Sequence, residues 1–294
     1  MKERALLFGE RKSLVGVITE PATPPPPERP AVLFLNAGVV HRVGPNRIHV
    51  RLARELARHG LLSMRFDFSG LGDSRPRADP TPFAQAAVAE TRQAMDVLAS
   101  TRGARSFVLV GICSGADNAL RAAGHDGRVA GAVLIEPYTI PAPAFVLYQY
   151  RRKILDPRSW WRLLRGRSEV LGTMRERRAE EAAPRAAQAP VAPVREPALD
   201  SIVPSAEEFV RQVHALVERG TGLCLIYSSE SPAYFNYLSL LRRKLRPARA
   251  AGRVRLRVLK RTDHTFTPLD VQEELMRTVR DWALTLPGAA PRTP

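Results

Sequence analysis

Residues 107–118 read FVLVGICSGADN, and these positions decide the fold. The apolar run Phe107, Val108, Leu109, Val110 is strand-forming and stops at Gly111-Ile112-Cys113-Ser114-Gly115. A small-residue helical stretch follows at once, with Ala116, Ala119, Leu120, Ala122 and Ala123. Strand, tight turn and helix in direct succession put the central residue of the turn on strained backbone. The residues two before and two after that apex have to be small, because strand and helix approach each other there. Gly111 and Gly115 fill those places when the apex is Cys113. With Ser114 at the apex the flanking places fall to Ile112 and Ala116, and a branched Ile112 fits a crowded turn badly. Cys113 is therefore the preferred nucleophile and Ser114 the alternative. The competing interpretation is a structural cysteine buried at the end of a core strand.

Towards the N-terminus, residues 4–8 and 13–19 read as short strands joined by a turn. Residues 21–30 hold six prolines and can only be an extended loop. An apolar strand over 31–35 ends in Asn36-Ala37-Gly38. The loop 41–47 then leads to a helix with Ile48, Leu52, Leu56 on one face and Arg51, Arg54, Arg58 on the other. A strand over 61–66 runs into the glycine-punctuated loop 67–74, and a helix over 82–100 precedes the strand at 107–110. Towards the C-terminus come a strand over 129–135 ending at Glu136-Pro137, a helix over 205–219 capped by Ser205 with Glu208 at the box position, and a strand over 223–227. A helix near 234–245, a strand over 254–259 and a helix over 269–284 complete the series.

Strands alternating with helices predict an α/β protein: a mostly parallel, eight-stranded sheet with helices on both faces. The alternation breaks over 140–204, predicting a core of 1–139 and 205–286 interrupted by a helical cap insertion, with a disordered tail at 287–294. Within the insertion, 144–167 reads as helical and carries Trp160 and Trp161 with Arg151, Arg152, Lys153 and Arg158, while the Ala/Pro/Arg/Glu-rich 176–204 reads as mobile. Basic residues beside an aromatic face suit peripheral contact with an anionic membrane; an amphipathic helix packed on the domain is the alternative.

Composition narrows the function classes. The chain has 294 residues, an apolar fraction of 45% and a net charge of +16. The excess is mostly Arg spread through Ala- and Pro-rich sequence, with no zinc-finger, helix-turn-helix or RNA-binding signature, so a nucleic-acid partner is not expected. No stretch of about 18 apolar residues is present, and charges run through the first residues where a signal peptide needs its apolar run. With only Cys113 and Cys224, a disulfide framework is not expected, and the reading is a cytoplasmic protein.

Three pieces of this sequence resemble the α/β-hydrolase fold superfamily: Asn36-Ala37-Gly38, the block Arg65-Phe66-Asp67-Phe68-Ser69-Gly70-Leu71-Gly72-Asp73-Ser74, and Gly111-Ile112-Cys113-Ser114-Gly115. Thr262-Asp263-His264-Thr265-Phe266 matches the superfamily's histidine loop. Within it the chain resembles the serine-aminopeptidase-like branch, and more closely the bacterial hydrolases associated with exosortase and exopolysaccharide loci, through His41-Arg42-Val43-Gly44-Pro45-Asn46-Arg47. Cys in place of the usual Ser resembles the dienelactone-hydrolase and polyhydroxyalkanoate-synthase branches.

A thiol works as a nucleophile only as thiolate, so it needs a base or positive charge nearby. His264, late in the chain and after the last strand, fits the order nucleophile, acid, histidine of this fold. His41 is the competitor, and His49, His59, His125 and His214 read as solvated. Glu230, just past the strand at 223–227, is the expected acid, with Glu136 as the alternative; Asp263 is given no such role. The oxyanion hole is expected from backbone amides of Ser114 and of Ala37 or Gly38. Asp67 and Asp73 read as loop braces. No metal-ligand spacing and no phosphate cradle is present, so neither metal nor cofactor is expected. The resemblance implies a hydrolase of a carboxylic ester, thioester or lactone acting on a small acyl substrate. Acyl transfer in polysaccharide, lipid or secondary-metabolite assembly is one alternative, and a non-catalytic binding protein on the same fold is another.

Overall fold

The structure is a computed structural model and describes residues 1–26, 28–138 and 204–286. The predicted cap, its tryptophans and the tail at 287–294 lie outside the described residues. Eight strands form one sheet in the order β1-β2-β4-β3-β5-β6-β7-β8. They are β1 (Lys2–Phe8), β2 (Leu14–Glu20), β3 (Ala31–Leu35), β4 (Ser63–Phe66), β5 (Phe107–Ile112), β6 (Val129–Ile135), β7 (Gly222–Ser228) and β8 (Val254–Leu259). β2 pairs antiparallel with β1 and β4, and every later pairing is parallel.

The central strands β3, β5 and β6 are apolar at every position because both faces are covered. Leu33, Leu109, Leu134 and Leu225 face α2 (Phe83–Arg102), α3 (Ser114–His125) and α4 (Ala206–Glu218). The alternate residues Phe34, Val110, Val133 and Ile226 face α1 (Ile48–Arg58) and the C-terminal helix (Leu269–Thr285). Ser205 caps α4 as its sequence predicts, its Oγ accepting from the Glu208 amide at 3.1 Å.

Two expectations are corrected. The helix expected near 234–245 is broken into α5 (Pro232–Asn236), a π-turn (Tyr237–Leu241) and α6 (Arg246–Ala250). Pro247 removes a donor and suits only a first turn, so a new helix starts around it. His49 is buried, not solvated: its ring lies 5.3 Å from that of Phe34, under the loop that precedes α1. α1 is covered over a wide arc, and the residue after Ile48 falls inside it. Burial pushes the His49 pKa down to about 4.

Candidate active site

The strands β3, β5, β6, β7 and β8 deliver the residues singled out above to one edge of the sheet, their carboxyl ends. Cys113 stands between β5 and α3 with φ 54° and ψ −124°, a conformation an L-residue adopts only when its surroundings enforce it. Its amide donates to Ile135 O at 2.9 Å, and its carbonyl accepts from Ala116 N at 2.8 Å. A Cβ on Gly111 would overlap the Gly115 carbonyl, and one on Gly115 would fall 2.5 Å from Asn36 O. Both glycines are thus required by close backbone approach, as the turn reading predicts. Cys113 is half-buried at the N-terminus of α3, where the positive end of the helix dipole favours an anion. Ser114 is the first residue of α3, and its Oγ accepts from the Gly38 amide at 2.8 Å.

The loop after β3 is held by buried Asp67. Asn36 Nδ2 donates to Asp67 Oδ1 and to Val40 O, each at 3.0 Å, while Asn36 Oδ1 accepts from Phe68 N at 2.9 Å. The Arg42 amide donates to Asp67 Oδ1 at 2.5 Å, its guanidinium reaches Asp67 Oδ2, and it also bridges to Asp73 at 2.6 Å. Gly72 is fixed in the same way, since a Cβ there would run into the Asp67 carboxylate. Asp67 and Asp73 are therefore loop braces, as read from the sequence. Arg42, which joins them, was not singled out by sequence; its place in the His41–Arg47 stretch was the available signal.

His264 is exposed on the loop after β8. β8 lies three strands from β5, about 14 Å at the usual inter-strand spacing, and the residues from Lys260 to His264 are enough extended chain to span that. That loop is tied to the loop after β3: Asn46 donates to Thr265 O at 3.0 Å, and Phe266 is buried in the same apolar layer as Ala37 and Ile112. Asp263 accepts from Thr267 N at 2.9 Å and from both threonine hydroxyls, which makes it a brace for the loop. Asn46 is a second positioning residue that sequence reading did not assign. His41 is exposed on the loop after β3.

The two candidate acids sit differently. Glu230 is exposed, two residues beyond β7, on a loop tied to the end of β8 by Ser229 N donating to Leu259 O at 2.9 Å. Glu136 is fully buried at φ 52° just after β6, and its Oε1 accepts from Ser228 N at the start of the loop that carries Glu230. Burial pushes its pKa up to about 7, with the Ser231 and Ser228 hydrogen bonds opposing. Asp117, one turn into α3, was passed over by sequence although it lies at the fourth position after Cys113. Burial raises its pKa to about 6, and its Oδ1 accepts from Tyr138 N at 3.3 Å. Among the described residues no cluster of His, Cys, Asp and Glu is arranged to hold a metal ion, and no helix is long and apolar enough to cross a membrane.

No protein-family model and no curated protein matches the chain. Solved structures do. An esterase from Pyrococcus furiosus matches with TM-score 0.59 at 14% identity, over 98% of this chain and 91% of its own. A dienelactone hydrolase from Anabaena variabilis matches with TM-score 0.56 at 12% identity, over 97% and 98%. A lidless serine hydrolase from Xanthomonas campestris matches with TM-score 0.54 at 16% identity, over 100% and 98%. With the strand order, the strained turn between β5 and α3 and these matches together, the chain has the α/β-hydrolase fold.

Proposed function

We propose that the chain is a hydrolase of carboxylic esters, thioesters or lactones that works through a covalent acyl-enzyme on Cys113. The observation that carries this reading is the strained backbone at Cys113, at the start of α3 and packed against the Asn36–Gly38 loop. Strain of that kind is kept where it presents a side chain for chemistry.

In this reading His264 takes the proton of the thiol, and the sulfur attacks the acyl carbon. The developing oxyanion is met by the Ser114 amide and by the Gly38 amide, which exchanges the Ser114 hydroxyl for the substrate oxygen. Ala37 keeps that approach open. The carbonyl reforms as a thioester, the C–O or C–S bond to the leaving group breaks, and His264 returns the proton to it. Water, deprotonated by His264, then cleaves the thioester to free acid and thiol. Glu230 orients His264, and Glu136 holds the loop that carries Glu230, which leaves Glu136 a positioning role.

The test is turnover of p-nitrophenyl esters, acyl thioesters and small lactones. Cys113→Ala abolishes it, and His264→Ala lowers kcat by about 10²–10⁴. Glu230→Gln lowers it more than Glu136→Gln does. Free acid released in water supports hydrolysis, whereas product formed only with an added alcohol or amine overturns it in favour of acyl transfer.

A further inference from the structure

Positive charge in this chain is not evenly spread, contrary to the impression given by its Arg-rich composition. Residues 242–261 hold ten basic side chains and no acidic one. Taking those ten from the 45 basic residues leaves 35 to face 29 acidic ones in the rest of the chain, so this short stretch carries most of the net charge of +16. It runs from the end of the π-turn through α6 and β8.

The fold exposes this stretch. Arg242, Arg243, Lys244 and Arg246 are all exposed, while the intervening Leu241 and Leu245 are buried. Beyond α6, Arg253, Arg257, Lys260 and Arg261 are exposed and Arg255 is half-exposed. Among the described residues β8 is the last strand of the sheet and pairs only with β7, so the basic side chains lie along that edge. Among the described residues only Lys244 of the ten has an ion pair, with Glu207. Immediately before the stretch, Leu238 and Leu240 are each 43% exposed on the π-turn.

We propose that this edge is a docking surface for an anionic lipid bilayer. A dense, largely unpaired basic cluster attracts the negative surface potential of such a membrane. The adjacent exposed leucines supply apolar side chains for the interfacial region. A nucleic-acid partner is less well served, because single-strand binding uses exposed aromatic rings for base stacking, and Tyr237 on this element is buried. An edge guarded against strand pairing needs charge on β8 alone, whereas Arg242, Arg243, Lys244 and Arg246 lie before that strand. The stretch leads directly into the loop that bears His264, so a docked molecule holds that loop beside the lipid. The proposal stands on charge and exposure and does not rest on the catalytic reading.

The full-length protein is sedimented with vesicles of phosphatidylcholine containing phosphatidylglycerol, and with phosphatidylcholine alone, over a salt series. Binding to the anionic vesicles only, weakened by salt, is expected. Each basic side chain near such a surface is worth roughly fivefold in affinity, so charge reversal at Arg242→Glu, Arg243→Glu and Arg246→Glu together weakens binding by at least about a hundredfold. Circular dichroism of that variant, unchanged from the parent, excludes loss of fold as the cause. Leu238→Ser with Leu240→Ser removes the part of binding that survives high salt. Equal binding to both vesicle types, an unaffected triple variant, or tighter binding to a DNA or RNA oligonucleotide than to anionic vesicles at the same salt overturns the proposal.

Discussion

The chemistry proposed for Cys113 rests on its backbone. A residue at φ 54° and ψ −124° is retained because Gly111 and Gly115 let β5 and α3 close around it. Gly111→Ala forces a methyl into the Gly115 carbonyl and is expected to destabilise the fold by at least about 2 kcal/mol, measured by urea unfolding. Glu136 makes a separate prediction at this scale. Its pKa lies at about 7 in the folded chain against 4.5 for an unperturbed glutamate, the cause being burial. The folded state therefore binds the extra proton between these values, so the contribution of Glu136 to stability is present at pH 4.5 and is lost as pH rises to 7. Glu136→Gln removes that loss. The variant should match the parent near pH 4.5 and exceed it above pH 7 by up to about 3 kcal/mol, seen as a rise in Tm on the alkaline side only. His49 has the opposite sign: burial depresses its pKa to about 4, so its contribution is full above pH 6.5 and declines as pH falls towards 4.

At the scale of elements, the loops after β3 and β4 are one unit joined by Arg42. Arg42→Ala leaves Asp67 buried without its guanidinium, which should cost about 3 kcal/mol and loosen the Asn36–Gly38 backbone. Hydrogen exchange at the Gly38 and Arg42 amides measures the second effect. This joint was not legible in the sequence, because the contact links residues 25 positions apart and nothing in the pattern of either loop shows its partner. The elements themselves were legible where local chemistry dictates them: fully apolar strands, the Ser205 cap, and small residues at the elbow. The break within 232–250 was not, since its apolar positions also fit one continuous helix and only Pro247 argues against that. His49 was misread because adjacency to the apolar stripe of α1 is a matter of how wide an arc the sheet and the C-terminal helix cover, which helical spacing alone does not state.

On the scale of the whole molecule, the sheet order puts Gly38, Cys113, Glu136, Glu230 and His264 at the ends of successive strands from β3 to β8. The fold brings these proposed groups to one edge, and the Asn46 contact ties the histidine loop to the loop after β3. Cys224 supplies an internal control: it is buried on β7, and burial pushes its thiol pKa up to about 12. The proposal makes Cys113 an activated thiolate, which the rate of its alkylation by iodoacetamide from pH 6 to 9, located by peptide mass spectrometry, reads out. Near neutral pH Cys113 should react at least about tenfold faster than in the His264→Ala variant, while Cys224 stays unmodified in both. Cys113 reacting at the same rate with and without His264, or no faster than Cys224, would contradict it.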